Sequence, residues 1–309
     1  MERLDGAAAV PGHLRGGIVA LGNFDGFHRG HQAVVGRAVA RARDEGRAVI
    51  VATFDPHPVR HFRPDTPPFR LTTLDQRERL FAEAGADAML VFRFDGSLAS
   101  LSAREFAQQR LCDLIGAGGV VTGADFTFGK GRDGNVAVLG ELGAALGFSV
   151  DTVSQVAAEG EVVSSSRIRD ALRQGQPREA AALLTRPFAI EGVVEGGAKL
   201  GRELGYPTAN IRLGSYLRPR YGVYAVRARL ADGRIVEGVA NFGIRPMIDP
   251  PEELLEPYFF DFSGDLYGQT VEVQLIDFLR DEAKYDDLDA LKAQIARDCD
   301  AAREALRIS

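Results

Sequence analysis

The segment Gly22-Asn23-Phe24-Asp25-Gly26-Phe27-His28-Arg29-Gly30-His31 follows directly on the apolar run Ile18-Val19-Ala20-Leu21, which reads as a short buried strand. After His31, apolar residues at Val34, Val35, Ala38, Val39 and Ala42 fall at helical spacing. The segment is therefore a strand-to-helix turn. Gly26 and Gly30 let backbone approach a ligand closely, and a helix beginning near His31 aims unpaired N–H groups and its positive dipole end at that ligand. An anion is favoured. His28 and His31, three positions apart, can point into the same small space and offer N–H donors to phosphate oxygens. A single histidine near a helix start is more often a cap or a surface residue; the pair, the glycines and the preceding strand shift the balance. No third Cys, His or carboxylate follows at a familiar zinc spacing, so a metal centre on this pair is set aside.

At 309 residues, the chain is long enough for two domains with separate cores. Its formal net charge of −6 argues against sequence-independent nucleic-acid binding, which needs a basic face. Cys112 and Cys299 are too few and too far apart for a disulfide framework, which points to a reducing compartment. No apolar run approaches the roughly 18 residues of a membrane span. The N-terminal stretch carries Glu2 and Asp5 without a long apolar segment, so it is not a secretory signal. These features read as a cytoplasmic protein without a nucleic-acid or membrane partner. All five histidines (His13, His28, His31, His57, His61) lie in the first fifth of the chain, so proton chemistry in the C-terminal half must use another residue type.

Further strands are expected at 48–54, 88–92 and 119–122, with helices at 71–80 and 102–111. Thr73 and Gln76 supply a capping box to the first of these helices, which reads as scaffold. Asp55-Pro56-His57-Pro58 stops the strand before it and, taken alone, is a rigid loop. The alternation implies an α/β doubly wound parallel sheet, whose ligands bind beyond the carboxyl ends of the strands. The loop at 123–131, with Asp125, Phe126, Phe128 and Lys130, sits at such an end and mixes groups suited to a nucleotide or flavin. Ser164-Ser165-Ser166-Arg167-Ile168-Arg169 opens another helix, where hydroxyls, free N–H groups and arginines make a second anion site.

The pattern changes after Thr185-Arg186-Pro187, giving domains at 1–184 and 185–309. Strands at 188–195, 221–230, 235–242, 255–262 and 270–278, separated by turns, imply an antiparallel β-barrel. A last helix at 288–306 carries Leu291, Ile295, Cys299 and Ala302 on one stripe and packs against it. The segment from Gly196 to Gly201 is not a P-loop, because Arg202-Glu203 follows where Lys-Ser or Lys-Thr is required. In Gly205-Tyr206-Pro207-Thr208-Ala209-Asn210, Thr208 and Asn210 offer oxygens two residues apart, which in extended backbone face one hard cation.

Gly-x-Phe-Asp-Gly-x-His-x-Gly-His resembles the signature of the α/β-phosphodiesterase nucleotidyltransferases, in the wording of the adenylyltransferase half of bifunctional riboflavin kinase/FAD synthetases. Gly-Arg-x-Leu-Gly-Tyr-Pro-Thr-Ala-Asn resembles the riboflavin kinase signature, and Asn241-Phe242-Gly243-Ile244-Arg245-Pro246 and the strand holding Glu256 resemble two further kinase segments. Met247, Pro257 and Tyr258 depart from the usual threonine, valine and histidine, and a proline removes a ladder donor. Ser166 replaces a threonine and keeps the hydroxyl.

The resemblance implies two ATP-consuming steps, riboflavin to FMN and FMN to FAD. For the kinase it implies Glu256 as base, Thr208 and Asn210 as Mg²⁺ ligands, Gly197, Lys199 and Gly201 over the ATP phosphates, and Arg245 near the flavin. For adenylylation it implies His28, His31 and Arg169 as catalytic residues. Asn23 and Asp125 would contact the nucleotide or a metal, Gly26, Ser165 and Ser166 the nucleotide, and Phe126 and Phe128 the flavin. Chemistry agrees on the base: lysine and arginine are protonated at neutral pH and this half has no histidine, which leaves a carboxylate. Glu256 lies within an apolar strand, whereas Glu252, Glu253, Asp286 and Asp287 lie in polar stretches expected to be solvated. Two other readings are an adenylyl- or cytidylyltransferase whose barrel only binds substrate, and a flavin-sensing regulator. Pro207-Thr208-Ala209-Asn210 with Glu256 opposes the first, and intact candidate residues in both halves oppose the second.

Overall fold

The computed structural model describes residues 1–196, 206–245, 252–285 and 287–308, those at 245 and 252 by backbone only. Contacts divide it into two compact units, Met1–Pro67 with Thr73–Ser164, and Pro68–Thr72 with Ser165–Ser309.

The first unit is built on strands β1 (Glu2–Leu4), β2 (Ile18–Leu21), β3 (Val49–Asp55), β4 (Ala88–Arg93), β5 (Gly119–Gly123) and β6 (Ser149–Val153). They form one parallel sheet in the order β1-β4-β3-β2-β5-β6. Its helices are α1 (Arg29–Glu45), α2 (Pro58–Phe62), α3 (Leu74–Glu83), α4 (Gly96–Ala99), α5 (Ala103–Phe106) and α6 (Val136–Leu146); α5 runs on as a π-helix over Ala107–Ile115. The small hairpin β7 (Ala157–Ala158) and β8 (Glu161–Val162) completes the unit.

The central strands are continuously apolar because both faces are covered. Val19, Leu21, Ile50, Ala52 and Leu90 face Phe106, Leu111 and Leu139. Ile18, Ala20, Val49, Val51 and Met89 face Val35, Ala38 and Ala42 of α1 and Phe81 of α3. The chain steps from β2 through β3 to β4 on one side, then crosses to β5 and β6 on the other. The order therefore reverses between β2 and β5, and in such sheets ligands bind beyond the carboxyl ends of the strands at this point. The β2–α1 turn and the loop after β5 both leave from this point.

The doubly wound sheet is as expected, with two additional edge strands. β1 and β6 lack an apolar run, Glu-Arg-Leu and Ser-Val-Asp-Thr-Val, because an edge strand is only partly covered.

The second unit begins with α7 (Ser165–Arg173) and α8 (Pro177–Leu184). Strands β9 (Phe188–Glu195), β10 (Asn210–Arg212), β11 (Gly222–Arg229), β12 (Ile235–Arg245), β13 (Glu252–Phe259) and β14 (Thr270–Arg280) follow, then α9 (Leu288–Arg307). The strands close an antiparallel barrel in the order β10-β13-β12-β11-β14-β9. Ile211, Phe242, Leu255, Val271, Val273 and Leu275 are fully buried along them. On the other side of the barrel wall, Val223, Ala225 and Val239 meet Cys299, Ala302, Ala305 and Leu306 of α9. The contact division falls at Ser164/Ser165, ahead of the joint expected at 184/185. The intervening α7–α8 pair packs within the second unit, with α8 against β9 and β14.

Candidate active sites

In the β2–α1 turn, Phe24 (φ 51°), Gly26 (φ 87°) and Phe27 (φ 42°) all take left-handed backbone. For the two phenylalanines this costs on the order of 1–3 kcal/mol each. Burial offsets it: both rings are enclosed and pack edge-on against Phe81 of α3, with centroids 5.7 and 5.1 Å away. Phe24 also meets His31 edge-on at 5.3 Å.

His28 caps α1, its Nδ1 accepting the Gly30 N–H at 3.2 Å, which puts the proton of the neutral ring on Nε2. A Cβ on Gly30 would lie 3.2 Å from His28 Cε1, so this glycine also makes room for the cap. The His28 and His31 rings stack, 3.7 Å apart and 20° from parallel, at the helix start. Cap and anion donor are thus compatible roles for one histidine. The Asn23 carbonyl accepts from Thr53 Oγ1 at 2.8 Å and Arg77 Nη1 at 3.1 Å. Asn23 Oδ1 is buried and has no hydrogen-bond partner among the described residues.

After β5, Asp125 is exposed and accepts a long hydrogen bond, 3.4 Å, from Gln155 Nε2. Phe126 stacks on Phe128 at 5.6 Å and 13°. Phe128 is buried and continues into the core through Phe106, leaving half-buried Phe126 as the accessible end. The row extends through Phe106 to Phe54, and from Phe54 to Phe94 and the exposed Phe62. Sequence reasoning found only Phe126 and Phe128, because the others lie on separate elements with no common spacing.

Ser165, Ser166 and Arg169 belong to the second unit, on α7. Arg169 Nε donates to the Phe69 carbonyl at 2.9 Å and its guanidinium lies over the Phe69 ring. Arg167, the other arginine of this stretch, pairs with Glu179 of α8 at 3.1 Å.

In the barrel, Glu256 of β13 stands directly opposite Asn241 of β12. On its other side the register Ile211↔Leu255, continued by Ala209 N–H to the Pro257 carbonyl at 2.9 Å, sets Asn210 opposite Glu256. Directly opposed residues share a face, with Cβ atoms about 4.5–5.5 Å apart. Asn210, Glu256 and Asn241 therefore form an amide–carboxylate–amide row across three strands. The next pair along, Val239 and Tyr258, packs on the cluster under α9, which places the row on the outer wall of the barrel. Asn210 is buried, and Thr208 is half-buried in the segment leading into β10.

Asn241 Nδ2 donates to Glu282 Oε1 at 3.2 Å, and a Cβ on Gly243 would lie only 1.8 Å from that oxygen. Gly243 thus leaves space for a carboxylate to which sequence reasoning gave no role. Pro257 disturbs little. Its carbonyl faces β10, so the missing N–H also falls on that side, where β10 pairing ends, and the β12–β13 ladder stays intact.

One expectation needs correction: Glu253 is not a solvated bystander. It accepts from the Tyr221 hydroxyl and, at 2.5 Å, from Arg218 Nε. Burial pushes its carboxyl up, but those hydrogen bonds and the Arg218 charge outweigh it and hold the group below the usual carboxylate range. Burial and the bond to Glu253 push Tyr221 up to about 12. Asp287 caps α9, accepting from Ala290 N–H at 2.7 Å. Gly197, Lys199, Gly201 and Asp286 lie outside the described residues, and Arg245 is described by backbone alone, opposite Glu252.

Residues 11–167 match the FAD synthetase family and residues 184–306 the riboflavin kinase family. Over 290 residues the chain is 40% identical to the bifunctional riboflavin kinase/FMN adenylyltransferase of Escherichia coli K12, spanning 94% of this chain and 92% of that protein. The chain belongs to this bifunctional family. Members with the same description from Pseudomonas fluorescens and Haemophilus influenzae are 41% and 38% identical, each across 94% of this chain and 93% and 94% of theirs. The crystal structure of a macrolide-efflux protein from Streptococcus pneumoniae is also similar: TM-score 0.88, 31% identity, 98% of this chain and 99% of that one. Among the described residues of this family member, no helix is long and apolar enough to cross a membrane.

Proposed function

We infer that this chain phosphorylates riboflavin with ATP to give FMN, then adenylylates FMN with a second ATP to give FAD and pyrophosphate. The observation that carries this is that both family segments occur in one chain, each with candidate groups suited to its step.

For the kinase step, the ribityl 5′-hydroxyl must lose a proton as it attacks the γ-phosphorus, and the protein otherwise supplies positioning and charge. Glu256 is the acceptor, flanked by the amides of Asn210 and Asn241. Thr208 and Asn210 present hard oxygen donors beside it, which fits Mg²⁺. Such an ion takes one or two protein oxygens and completes its shell with water and substrate phosphates. Bound there, Mg²⁺ would neutralise phosphate charge. Gly197, Lys199 and Gly201 cover the phosphates, and Arg245 contacts the flavin.

For the second step, the FMN phosphate is already largely ionised and needs no base. It attacks the α-phosphorus of ATP and pyrophosphate leaves, so catalysis is alignment and charge stabilisation. The stacked His28 and His31 at the α1 start serve the developing charge. Gly26 shapes the turn for close backbone approach. Asn23 Oδ1 and the Asp125 carboxylate, being acceptors, suit nucleotide amino or hydroxyl groups rather than phosphate. Phe126, backed by Phe128, offers an aromatic face to the flavin ring. Ser165, Ser166 and Arg169 form an anion site at the start of α7, with Arg169 catalytic.

The boundary at 184/185 is retained as a functional division between the two activities. Cys112 and Cys299 are both free thiols, in keeping with a cytoplasmic location. Incubating the protein with riboflavin and MgATP and separating the products by chromatography tests the assignment. FMN should appear first, then FAD, with pyrophosphate released only in the second step. No FAD from FMN and MgATP with folded protein would overturn it.

A further inference from the structure

We propose that Arg77, on α3, is a positioning residue for adenylyl transfer, its guanidinium locking the Asn23–Phe24 peptide of the β2–α1 turn. The proposal rests on reading that turn as the nucleotide site. Sequence reasoning treated α3 as scaffold; two of its side chains instead hold the turn from beneath.

Arg77 is 3% exposed. A guanidinium so buried must spend its N–H groups on partners. Nη1 donates to the Asn23 carbonyl and to Thr53 Oγ1, both at 3.1 Å. Nε makes a longer bond, 3.4 Å, to the Thr73 carbonyl, and Nη2 lies 4.0 Å from Asp55 Oδ1. Thr53, itself fully buried, donates to the same Asn23 carbonyl at 2.8 Å. One peptide oxygen thus takes two donors from below.

That oxygen is the one whose orientation decides the turn. Phe24 has φ 51°, a conformation that L residues avoid. The simplest relief is a flip of the Asn23–Phe24 peptide plane, which changes ψ of Asn23 and φ of Phe24 together. A flip would swing the carbonyl off Arg77 and Thr53 and turn an N–H toward a cation. Arg77 therefore opposes the relaxation electrostatically, while Phe81, one turn along α3, opposes it by packing on Phe24 and Phe27. What the unflipped turn carries is the Asn23 side chain, with Oδ1 buried and without a hydrogen-bond partner among the described residues, and the Phe24 edge against which His31 rests.

Arg77→Ala and Arg77→Met test this in the full chain, with FMN formation from riboflavin as internal control. FAD formation from supplied FMN should fall on the order of 100-fold in kcat, the size expected for misplacing a catalytic group. KM for ATP should change much less, and FMN formation should not change. In Arg77→Ala, guanidinium far below its denaturing range should restore FAD formation, and urea should not. Arg77→Met refills the space without donors and should stay slow in FAD formation while folded, as its unchanged FMN formation reports. A Met variant with parental FAD turnover would overturn the proposal, as would an Ala variant that guanidinium only inhibits, which is the behaviour of a residue needed merely for folding. His31→Ala separates the two layers: unchanged FAD formation there would remove the site reading itself.

Discussion

Replacing Glu256 with glutamine isolates the proton from everything else the side chain does. Glu256 sits between Asn210 and Asn241 on neighbouring strands, so a glutamine there joins a row of three amides, each able to donate and accept. Its length and its cross-strand neighbours are retained. The melting temperature of the variant serves as the control for folding. Riboflavin and ATP should bind as before. What is lost is the proposed proton acceptor, a general base being typically worth about 10²–10⁴ in turnover, or roughly 2.7–5.4 kcal/mol of barrier. The assay is FMN formation from riboflavin and MgATP, read against FAD formation from supplied FMN in the same preparation. The second reaction should be unchanged. Near-parental FMN turnover with an unchanged pH profile would remove Glu256 from the mechanism and favour proton transfer to the substrate's own phosphate.

His31→Ala should slow FAD formation by about 10²–10³-fold, the usual loss on removing one donor aimed at developing charge, and leave FMN formation intact; equal loss in both reactions would make His31 a folding residue. A fragment from Thr185 to Ser309 should make FMN but no FAD, and should melt several degrees below one from Ser165, because α8 buries Leu183 and Leu184. A soluble Thr185 fragment that binds riboflavin yet never phosphorylates it would refute the kinase assignment. Glu253 is held low in the folded state, so its stabilisation is present above the unfolded glutamate pKa of about 4.3 and fades as pH falls through the folded value. Glu253→Gln should accordingly flatten the acid side of a melting-temperature profile, and an unaltered slope would show the Tyr221–Arg218–Glu253 cluster to be energetically idle.

What the sequence made legible follows from how locally each feature is encoded. The β2–α1 turn was readable because strand, glycines, histidine pair and helix are contiguous, and the capping box of Thr73 and Gln76 is found as expected, with bonds of 3.0 and 3.1 Å. The aromatic row from Phe62 to Phe126 was not, because topology rather than spacing assembles it. Arg77 was hidden for a different reason: a charged residue in an amphipathic helix reads as solvent-facing, and only the turn packed above it shows what its donors serve. Asn241 was visible within a motif but its partner Glu282 was not, since nothing in the sequence says that the carboxylate folds back over Gly243. The edge strands β1 and β6 carry too little apolar character to announce themselves.

The position of Glu256 ties the proposed kinase chemistry to the barrel's stability. Side chains alternate along β13, so Leu255 and Phe259 are buried on one face while Glu256 shares the other with Tyr258. A slip of one residue in register would carry the carboxylate inward and Leu255 outward. The slip is opposed on both neighbouring strands, because Leu255 stands opposite Phe242 on one side and Ile211 on the other, all three fully buried. Closure removes the free edge at which such a slip would begin. Glu256, the proposed proton acceptor, is therefore held in place by apolar side chains on the opposite face of the strands, on the outer wall where Asn210 and Asn241 flank it. A polar substitution at Phe242 should accordingly impair FMN formation and barrel stability together, whereas Glu256→Gln should separate them.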